Sequence, residues 1–434
     1  VNPAVENQGI EILSALLKEK GHETELVVDY RLFDTEAVRN ASLKRFFDGT
    51  DRVVEEVVAS NPDLVGFSVY TGSYRWALSL ARRIKAAAAV PVIFGGIHPT
   101  TVPERVIAQD AVDMVCVGEG EGALLELAEA MDRRERRTDI RNIWFKQEGR
   151  VIRNGLRPLI TDLDALPFPD KELFAGKGLL DRYEYALNSG RGCPFHCTFC
   201  GNNTLKRLYS GKGRYLRSLS VERVIAEAKI ARARYAPRVI SFYADVFTTD
   251  KRWLQEFCER YRREVALPFF ALSHPRYMDD EVARWLKEAG CREVTMGVES
   301  ATPKVRREIL RRPESDAEII AACESCRRHG LKFSLDHLIN LPAETDGHRR
   351  DALAFYNRLR PDSLNVYPLQ YYPGVAITQI ACREGIVSES LRERIDEGDA
   401  GGSMVIGVGG KDPFDAAGRT AWFRFLLTAL PFLP

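Results

Sequence analysis

The sequence contains no long apolar run and almost no excess of either charge. No run reaches the roughly 18 apolar residues that a membrane-spanning helix needs. The apolar final segment, residues 423–434, is long enough only for a surface contact with a membrane or partner. The 62 lysines and arginines are balanced by 61 aspartates and glutamates, so we expect neither a basic face nor a nucleic-acid partner. With 434 residues, 45% of them hydrophobic, the chain can form two ordinary domains.

Cysteine is scarce outside one segment. A disulfide framework of a secreted protein is therefore not expected, and a reducing cytoplasm fits this usage. The chain also lacks an initiator methionine and starts with Val1-Asn-Pro, which is typical of the end of a first β-strand. We therefore expect residues before Val1 to be missing from this sequence. The scattered cysteines are Cys116, Cys258, Cys291, Cys323, Cys326 and Cys382.

The other three cysteines, Cys193, Cys197 and Cys200, lie close together in Arg191-Gly-Cys-Pro-Phe-His-Cys-Thr-Phe-Cys-Gly201. The spacing C-x3-C-x2-C puts three thiolates on one short loop, which suits a cubane iron–sulfur cluster whose fourth iron lacks a protein ligand. Zinc fits less well, because zinc sites usually take four ligands and paired C-x2-C spacing. Three unrelated core cysteines are also a poor explanation for a tight loop flanked by glycines. We expect chemistry to start here, because an open iron can bind a small molecule.

This motif resembles the signature of the radical S-adenosylmethionine (SAM) enzymes. The resemblance implies that the three cysteines hold a four-iron, four-sulfur cluster whose free iron chelates the amino and carboxylate groups of SAM. It also implies reductive cleavage of the sulfonium to a 5′-deoxyadenosyl radical, with electrons from a partner such as flavodoxin or ferredoxin. The aromatic residue before the last cysteine, Phe199, is then expected beside the adenine.

Residues 1–150 alternate helical and β-rich segments, which predicts an α/β domain with a Rossmann-like, doubly wound parallel sheet. Ligands of such sheets lie beyond the carboxyl ends of the strands. The sequence places glycine-bearing turns there, and glycine lets the backbone approach a ligand closely. The turns are Thr71-Gly-Ser73, Gly95-Gly-Ile-His-Pro-Thr100 and Gly118-Glu-Gly-Glu121; the predicted strands are 24–28, 64–68, 90–94 and 114–117, and the predicted helices are 10–20, 53–59, 76–87 and 122–131.

Together these turns resemble the rim of the cobalamin-binding domain that precedes many radical SAM barrels. Trp76 follows a strand where relatives place a side chain under the corrin ring, although packing against the next helix is an equal alternative. The sequence lacks Asp-x-His-x-x-Gly, the motif by which other cobalamin proteins ligate cobalt through histidine. Many cobalamin-dependent radical SAM enzymes lack it too, so any cobalamin is expected to bind without a histidine ligand. The other contacts that the resemblance implies are Thr71, Gly95, Gly96, His98, Gly118 and Glu119.

The rest of the sequence predicts a second α/β domain. Residues 183–375 contain six strand–helix repeats, which predict a partial (β/α)6 barrel of the TIM type. The cysteine loop follows the first of these strands. A linker, residues 151–182, precedes the barrel, and the C-terminal extension, residues 376–434, contains a glycine-rich stretch at 398–410 and an amphipathic helix near Thr420. The predicted strands are 185–189, 239–243, 269–273, 293–298, 333–339 and 363–369, and the predicted helices are 221–234, 251–264, 280–289, 315–329 and 346–358.

Charged residues at the strand ends resemble the SAM-binding residues of the family. Asp245 ends the second barrel strand and resembles the segment that binds the methionine amino group, while helix capping falls more naturally to residues 249–250. Glu299 ends the fourth strand, where relatives bind the ribose hydroxyls. Arg311 resembles the residue that pairs with the methionine carboxylate, and its neighbour Arg312 is the alternative.

The fifth strand carries the candidates for substrate chemistry, in Asp336-His-Leu-Ile-Asn340. The resemblance places the backbone around Leu338 beside the adenine. His337 is a candidate for acid–base catalysis because the ordinary histidine pKa is about 6.5, although a lone histidine in a strand is more often structural. Asp336 is the second catalytic candidate, as a substrate contact.

We therefore expect a radical SAM enzyme of the group related to the anaerobic magnesium-protoporphyrin ester cyclase and the cobalamin-dependent methylases. The favoured reaction is cobalamin-dependent C-methylation of a small molecule of natural-product type, after hydrogen abstraction. One alternative is a dehydratase, cyclase or rearrangement enzyme with a vestigial cobalamin domain, as in the radical diol dehydratases of aminoglycoside assembly. A non-catalytic iron–sulfur sensor is another, which the predicted SAM pocket disfavours. The tRNA thiolation enzymes carry a second cysteine triplet, whereas Cys323 and Cys326 fit helix packing.

Overall fold

Two larger sheets, each accompanied by helices, and one pair of short strands organise the described part of the chain. The computed structural model describes residues 6–30, 48–342, 344–398 and 419–432. Within these ranges, no helix is long and apolar enough to cross a membrane. The strands are β1 (Val65–Ser68), β2 (Val92–Gly95), β3 (Met114–Cys116), β4 (Ile143–Gln147), β5 (Arg150–Arg153), β6 (Glu184–Leu187), β7 (Gly190–Arg191), β8 (Arg217–Ser218), β9 (Val239–Phe242), β10 (Phe269–Ser273), β11 (Cys291–Glu299), β12 (Lys332–Ile339) and β13 (Ser363–Pro368).

The N-terminal sheet combines a parallel part with an antiparallel hairpin. β1, β2 and β3 run parallel, whereas β3, β4 and β5 pair antiparallel. Glu148 and Gly149 join β4 to β5 with φ angles of 49° and 73°, the geometry of a tight hairpin turn. The sequence did not predict this hairpin, and the boundary predicted at residue 150 divides it; residues 24–28, predicted as a strand, form none. The helices of this part are α1 (Gln8–Glu19), α2 (Thr50–Ala59), α3 (Tyr74–Ala87), α4 (Ile97–Thr101), α5 (Pro103–Ile107) and α6 (Glu121–Asp132).

The second sheet is the predicted six-stranded barrel sheet. Its strand order is β6-β9-β10-β11-β12-β13, and every neighbouring pair is parallel. Phe242, Phe257 and Phe269 pack edge to face in its core. The six predicted strands and the five predicted helices are confirmed. The remaining helices are α7 (Glu172–Ala175), α8 (Gly201–Leu208), α9 (Val221–Arg234), α10 (Lys251–Glu264), α11 (Asp280–Ala289), α12 (Asp316–Arg328), α13 (Asp346–Leu359), α14 (Ala376–Arg383), α15 (Glu389–Asp396) and α16 (Arg419–Ala429).

Capping side chains start the barrel helices α9 to α13. Ser220, Asp250, Asp279, Ser315 and Thr345 each accept a hydrogen bond from a backbone N–H in the first turn. The capping role expected at residues 249–250 is thus confirmed. Each of these helices therefore has a defined first residue.

A buried ion pair joins the N-terminal domain to the barrel. Lys171 Nζ lies 3.0 Å from Glu11 Oε2 and donates a hydrogen bond to the Ala186 carbonyl over 2.9 Å. Burial raises the pKa of Glu11, and the charge of Lys171 opposes that rise. α1, the linker and β6 therefore meet at one lysine, which must stay paired because a lone buried charge is costly.

The C-terminal extension contacts both domains. Asp396, the last residue of α15, lies 3.8 Å from Arg105, and a Cβ on Gly398 would lie 3.0 Å from the Thr71 carbonyl. The predicted helix near Thr420 is confirmed as α16, which packs against β13 and α13. Of the predicted glycine-rich stretch at 398–410, only the first residue lies among the described residues.

Candidate active site

The cysteine loop lies between two short strands. β7 pairs antiparallel with β8, and the loop runs from Gly192 to Cys200, the residue before α8. Gly192 has a φ of 89°, and a side chain there would overlap the Tyr215 carbonyl. A Cβ on Gly190 would lie 2.6 Å from the Arg217 carbonyl. Glycine at both positions therefore lets β8 close over the start of the loop.

Two polar side chains approach the thiols of this loop. Arg312 Nη1 lies 3.8 Å from Cys197 Sγ, and Asn202 Nδ2 lies 3.8 Å from Cys200 Sγ. Burial raises the pKa of all three thiols, including Cys193, and that of Cys197 to about 12. Among the described residues, no three or more His, Cys, Asp or Glu side chains converge on a single metal ion. The thiolates of a cubane each bind a different iron and need not converge on one point.

Arg312, rather than the predicted Arg311, occupies the site. Arg311 is exposed, whereas Arg312 is only 5% exposed. The Arg312 guanidinium donates to Glu314 over 2.6 Å and to the Gly297 carbonyl, and it lies 3.7 Å from Glu299. A buried guanidinium needs acceptors, and the contacts of Arg312 favour it over Arg311 as the arginine of the site.

Glu299 is turned into the barrel by an irregularity at the end of β11. Its φ is 66°, and the register with β12 shifts between Gly297 and Glu299. Such bulges redirect a side chain, and the carboxyl of Glu299 fills the space that a side chain at Gly297 would need. Burial raises the pKa of Glu299 to about 7, with Arg312 lowering it and Asp336 raising it.

The two catalytic candidates on β12 face opposite ways. Asp336 accepts a hydrogen bond from Asn365 Nδ2 over 2.9 Å, and burial raises the pKa of this carboxyl. His337 Nδ1 instead lies 2.9 Å from the Tyr356 hydroxyl on α13, and its ring contacts Phe423 on α16. Burial lowers the pKa of His337 to about 3. Because neighbouring strand residues point to opposite faces, His337 lies in the helix layer, which favours a structural role over the predicted acid–base role.

Asp245 lies at the mouth of the site, beside α8. It accepts a hydrogen bond from Asn202 Nδ2 over 2.8 Å, and Tyr215 donates to the same amide over 2.7 Å. Asp245 is exposed, yet partial desolvation in its recess raises the pKa of the carboxyl. Phe199 and Leu338 pack in one apolar cluster nearby. The structure thus brings these residues to the same end of the barrel as the cysteines.

On the N-terminal domain, Thr71 and His98 contact each other. His98 Nδ1 lies 3.2 Å from Thr71 Oγ1, and its ring packs 4.3 Å from that of Tyr74. Both residues are buried, and burial lowers the pKa of His98 to about 4, so it is neutral near pH 7. A Cβ on Gly96 would lie 2.7 Å from backbone just after β1, whereas Gly95 has room for one. These positions shape the turns themselves.

The remaining predicted rim residues contact protein. Trp76 Nε1 donates to Asp29 Oδ2 over 2.8 Å, and its ring packs against the domain core, as in the packing alternative. The turn at Gly118 and Glu119 is covered by Tyr209, the residue after α8: a side chain at Gly118 would overlap the Tyr209 hydroxyl. The structure therefore brings this turn to the barrel, which differs from its expected place on a cofactor rim.

Several polar residues of the site were missed by sequence reasoning. His274 Nε2 lies 3.2 Å from Glu314 Oε2, so His274 supports the carboxylate that pairs with Arg312. Asn365 reaches Asp336 from β13, and Asn202 links Cys200 to the mouth of the site. These residues belong to separate loops and strands, so no spacing pattern connects them. Arg312, by contrast, was named from the sequence as the alternative to Arg311.

The fold and the cysteine loop together define the class of protein. Three cysteines follow the first strand of a six-stranded parallel barrel, at the carboxyl ends where barrel enzymes carry their sites. This is the arrangement of a radical SAM enzyme. The profile of the radical SAM superfamily matches residues 187–356, and that of the B12 binding domain matches residues 1–128. The chain is a radical SAM enzyme with an N-terminal B12-binding domain.

Curated relatives include two methyltransferases and a cyclase. An uncharacterized methyltransferase of Pyrococcus horikoshii is 29% identical, over 75% of this chain and 71% of the relative. The cytidylyl-2-hydroxyethylphosphonate methyltransferase of Streptomyces wedmorensis is 25% identical, over 74% and 67%. The anaerobic magnesium-protoporphyrin IX monomethyl ester cyclase of Rubrivivax gelatinosus is 22% identical, over 73% of this chain and 58% of the relative.

A solved structure shares the fold across both domains. It is the radical SAM methyltransferase TsrM from Kitasatospora setae, with cobalamin and a [4Fe-4S] cluster bound. The TM-score is 0.69 with 18% identity, over 88% of this chain and 76% of that one. At this identity the likeness establishes the fold, and it confirms the predicted order of a Rossmann-like domain followed by a partial barrel.

We predict that Glu299 makes stability depend on pH. Its folded pKa of about 7 lies above the ordinary value, so the folded state holds the proton more tightly. The stabilisation is complete below the unfolded pKa of about 4.3 and is lost as pH rises through 7. The free energy of unfolding of the apoprotein should therefore fall with rising pH by up to about 3 kcal/mol from this group. Urea titrations between pH 5 and 8 should show a flatter profile for Glu299→Gln; identical profiles would contradict the assignment.

Proposed function

We propose that this protein is a cobalamin-dependent radical SAM methyltransferase that acts on a small molecule of natural-product type. The observation that carries the proposal is the position of the cysteine loop. It lies at the carboxyl ends of the barrel strands, beside Arg312 and Glu299 and against the N-terminal domain. The two methyltransferase relatives support the type of reaction.

We assign the cluster to Cys193, Cys197 and Cys200. Their loop has the donor set that a cubane with one open iron requires, and Arg312 and Asn202 direct N–H groups at two of the sulfurs. A cluster bound there would supply the electron that cleaves SAM and yields the 5′-deoxyadenosyl radical. Such a cluster needs an external electron donor, for which we propose a flavodoxin or ferredoxin.

The surrounding residues fit the parts of SAM. Arg312 presents a buried guanidinium for the methionine carboxylate, in place of the Arg311 of the sequence prediction. Asp245, held by Asn202, is an acceptor for the methionine ammonium group. Glu299 can accept hydrogen bonds from the ribose hydroxyls, as expected from the sequence.

An apolar cluster fits the adenine. It contains Phe199, from the cysteine loop, and Leu338, from β12. Both belong to the same end of the barrel as the cysteines, so an adenine packed there would stay within reach of a cluster. The family resemblance implied the same two residues for the adenine.

Cobalamin would bind between the N-terminal domain and the barrel and would supply the methyl group. Thr71, Gly95, Gly96 and His98 form the turns at the ends of β1 and β2, and Ile97 between them is exposed. His98 is buried, so it shapes the turn and does not reach a cobalt ion. The residues therefore fit a corrin held without histidine ligation.

Asp336 is our candidate for contact with the substrate. It lies beside Glu299 inside the barrel, and its raised pKa favours a carboxyl that can hold or accept a proton. Tyr367, half exposed on β13, lies near both carboxyls: burial, and then the charges of Asp336 and Glu299, raise the pKa of its hydroxyl. We propose that the substrate binds beside Asp336 and Tyr367.

The alternative function is a radical SAM cyclase, dehydratase or rearrangement enzyme with a vestigial cobalamin domain. The cyclase relative supports it, as does the Gly118 turn, which contacts the barrel where a cofactor rim was expected. Cobalamin uptake separates the two proposals.

For the cluster, we predict that Cys193→Ala, Cys197→Ala and Cys200→Ala each abolish iron–sulfur absorbance after anaerobic reconstitution, because a cubane needs all three thiolates. The matched control is Cys326→Ala, which alters a buried cysteine of α12 far from the loop. It should keep iron content near that of the wild type. Full iron content in any of the three loop variants would refute the assignment.

For SAM, we predict that Arg312→Lys weakens binding about tenfold, because lysine keeps the charge and loses the planar fork of donors. Arg311→Lys is the matched control and should bind SAM as the wild type does. Calorimetry on the reconstituted proteins measures both affinities. Equal losses in the two variants, or a loss confined to Arg311→Lys, would remove Arg312 from the pocket.

For cobalamin, we predict stoichiometric uptake of hydroxocobalamin by the reconstituted enzyme. The electron paramagnetic resonance spectrum of its cob(II)alamin form should show no nitrogen hyperfine splitting from a protein imidazole. Hydrogen exchange should slow in the turns at Thr71 and Gly95 when cobalamin binds. An enzyme that cleaves SAM yet takes up no cobalamin would replace methylation by the vestigial-domain alternative.

A further inference from the structure

One turn of the N-terminal domain contacts the cysteine loop on both sides. Before the loop, Arg191 stands two residues ahead of the first cysteine, and its Nη1 lies 3.1 Å from Glu119 Oε1. After the loop, Tyr209 follows the last residue of α8. Its hydroxyl accepts a hydrogen bond from the backbone N–H of Glu119 over 2.7 Å. Residues 192–200, which carry all three cysteines, therefore lie between two contacts with the same turn.

Gly118 makes the second of these contacts possible. Its φ is 83°, a conformation that favours glycine, and a Cβ there would overlap the Tyr209 hydroxyl. The small residue in this turn thus admits a tyrosine from the barrel. A cofactor could not take the same space while Tyr209 fills it.

The carboxylate of Glu119 is saturated by partners. Arg217 Nη2 donates to Oε1 over 2.8 Å, in addition to Arg191, and the backbone N–H of Ile160 donates to Oε2 over 3.0 Å. Arg191 also pairs with Glu121 over 2.5 Å. Arg191 and Arg217 stand on β7 and β8, so the carboxylate joins both strands of the hairpin that starts the loop.

The protonation state of Glu119 suits this role. Burial works against its ionisation, but the hydrogen bonds from Arg217 and Ile160 and the charge of Arg191 outweigh burial and lower its pKa. The carboxylate therefore stays ionised at neutral pH, when a charge-assisted hydrogen bond to arginine is strong.

We propose that the turn at Gly118 and Glu119 is a clamp that holds the cysteine loop in place from the N-terminal domain. Glu119 and Tyr209 are positioning residues: they act on the reaction through the loop and through the distance between the loop and the N-terminal domain. The proposal rests on the proposed function only in taking this loop as the cluster site. It gives the turn a mechanical role in place of the cofactor contact expected from the sequence.

The test compares two mild variants with two matched controls. Tyr209→Phe removes one hydroxyl, and Glu119→Gln removes one charge. Tyr235→Phe removes a comparable hydroxyl that bonds Glu172, and Glu264→Gln removes a comparable carboxylate that pairs with Arg260. Hydrogen exchange of residues 192–201 is measured in the reduced apoprotein, and the electron paramagnetic resonance spectrum of the reduced cluster is recorded after reconstitution.

The clamp predicts that loop amides exchange about tenfold faster in Tyr209→Phe and Glu119→Gln, since opening then breaks one fewer strong hydrogen bond. Exchange in β9 to β13 should stay unchanged, and the cluster spectrum should broaden because its ligands are less fixed. Both controls should match the wild type.

Unchanged loop exchange in Tyr209→Phe would overturn the clamp. This variant decides the matter if Glu119→Gln fails to fold. Exchange in the apoprotein does not depend on a cluster, so a wild type that binds no iron would refute the proposed function and still leave the clamp measurable.

Discussion

The burial of Arg312 is the constraint on which the geometry of the site depends. A guanidinium stays charged inside a protein, so every donor must find an acceptor. Glu314 and Glu299 supply the opposing charge, and the Gly297 carbonyl accepts another N–H. The need to place the Glu299 carboxyl beside Arg312 accounts for the left-handed backbone at Glu299 and for a glycine at position 297. Cys197 then receives an N–H from a group whose position is fixed on all sides.

A second set of charges fixes the same loop from outside the barrel. Glu119 and Glu121 of the N-terminal domain pair with Arg191 and Arg217 of the hairpin. The cysteine loop thus lies between two groups of paired charges, one in the barrel and one at the domain contact. Because both groups are largely buried, neither can lose a partner cheaply, and the two domains are joined where the chemistry is proposed to begin.

Sequence patterns worked best where one element determines its own structure. The barrel strands and helices followed from periodicity, and the start of α10 followed from the capping preference of Asp250. The sequence patterns gave wrong predictions where a strand depends on a pairing partner elsewhere in the chain. Residues 24–28 are rich in β-formers and yet pair with no strand, whereas the β4–β5 hairpin forms through the positive φ angles of Glu148 and Gly149. A strand needs a neighbour, and local composition does not supply one.

The sequence by itself determined the cysteine spacing, the order of the two domains and the strand that the cysteine loop follows, because these depend on short-range pattern. Only the tertiary structure decided which side chains serve the site. In the folded chain Arg312 rather than Arg311 is buried in the site, His337 points away from Asp336, and Glu119 contacts the barrel. Each choice depends on partners from distant segments, such as Glu314, and on the direction of a side chain. A buried charge or a crowded glycine is satisfied in three dimensions, so no local spacing can encode it.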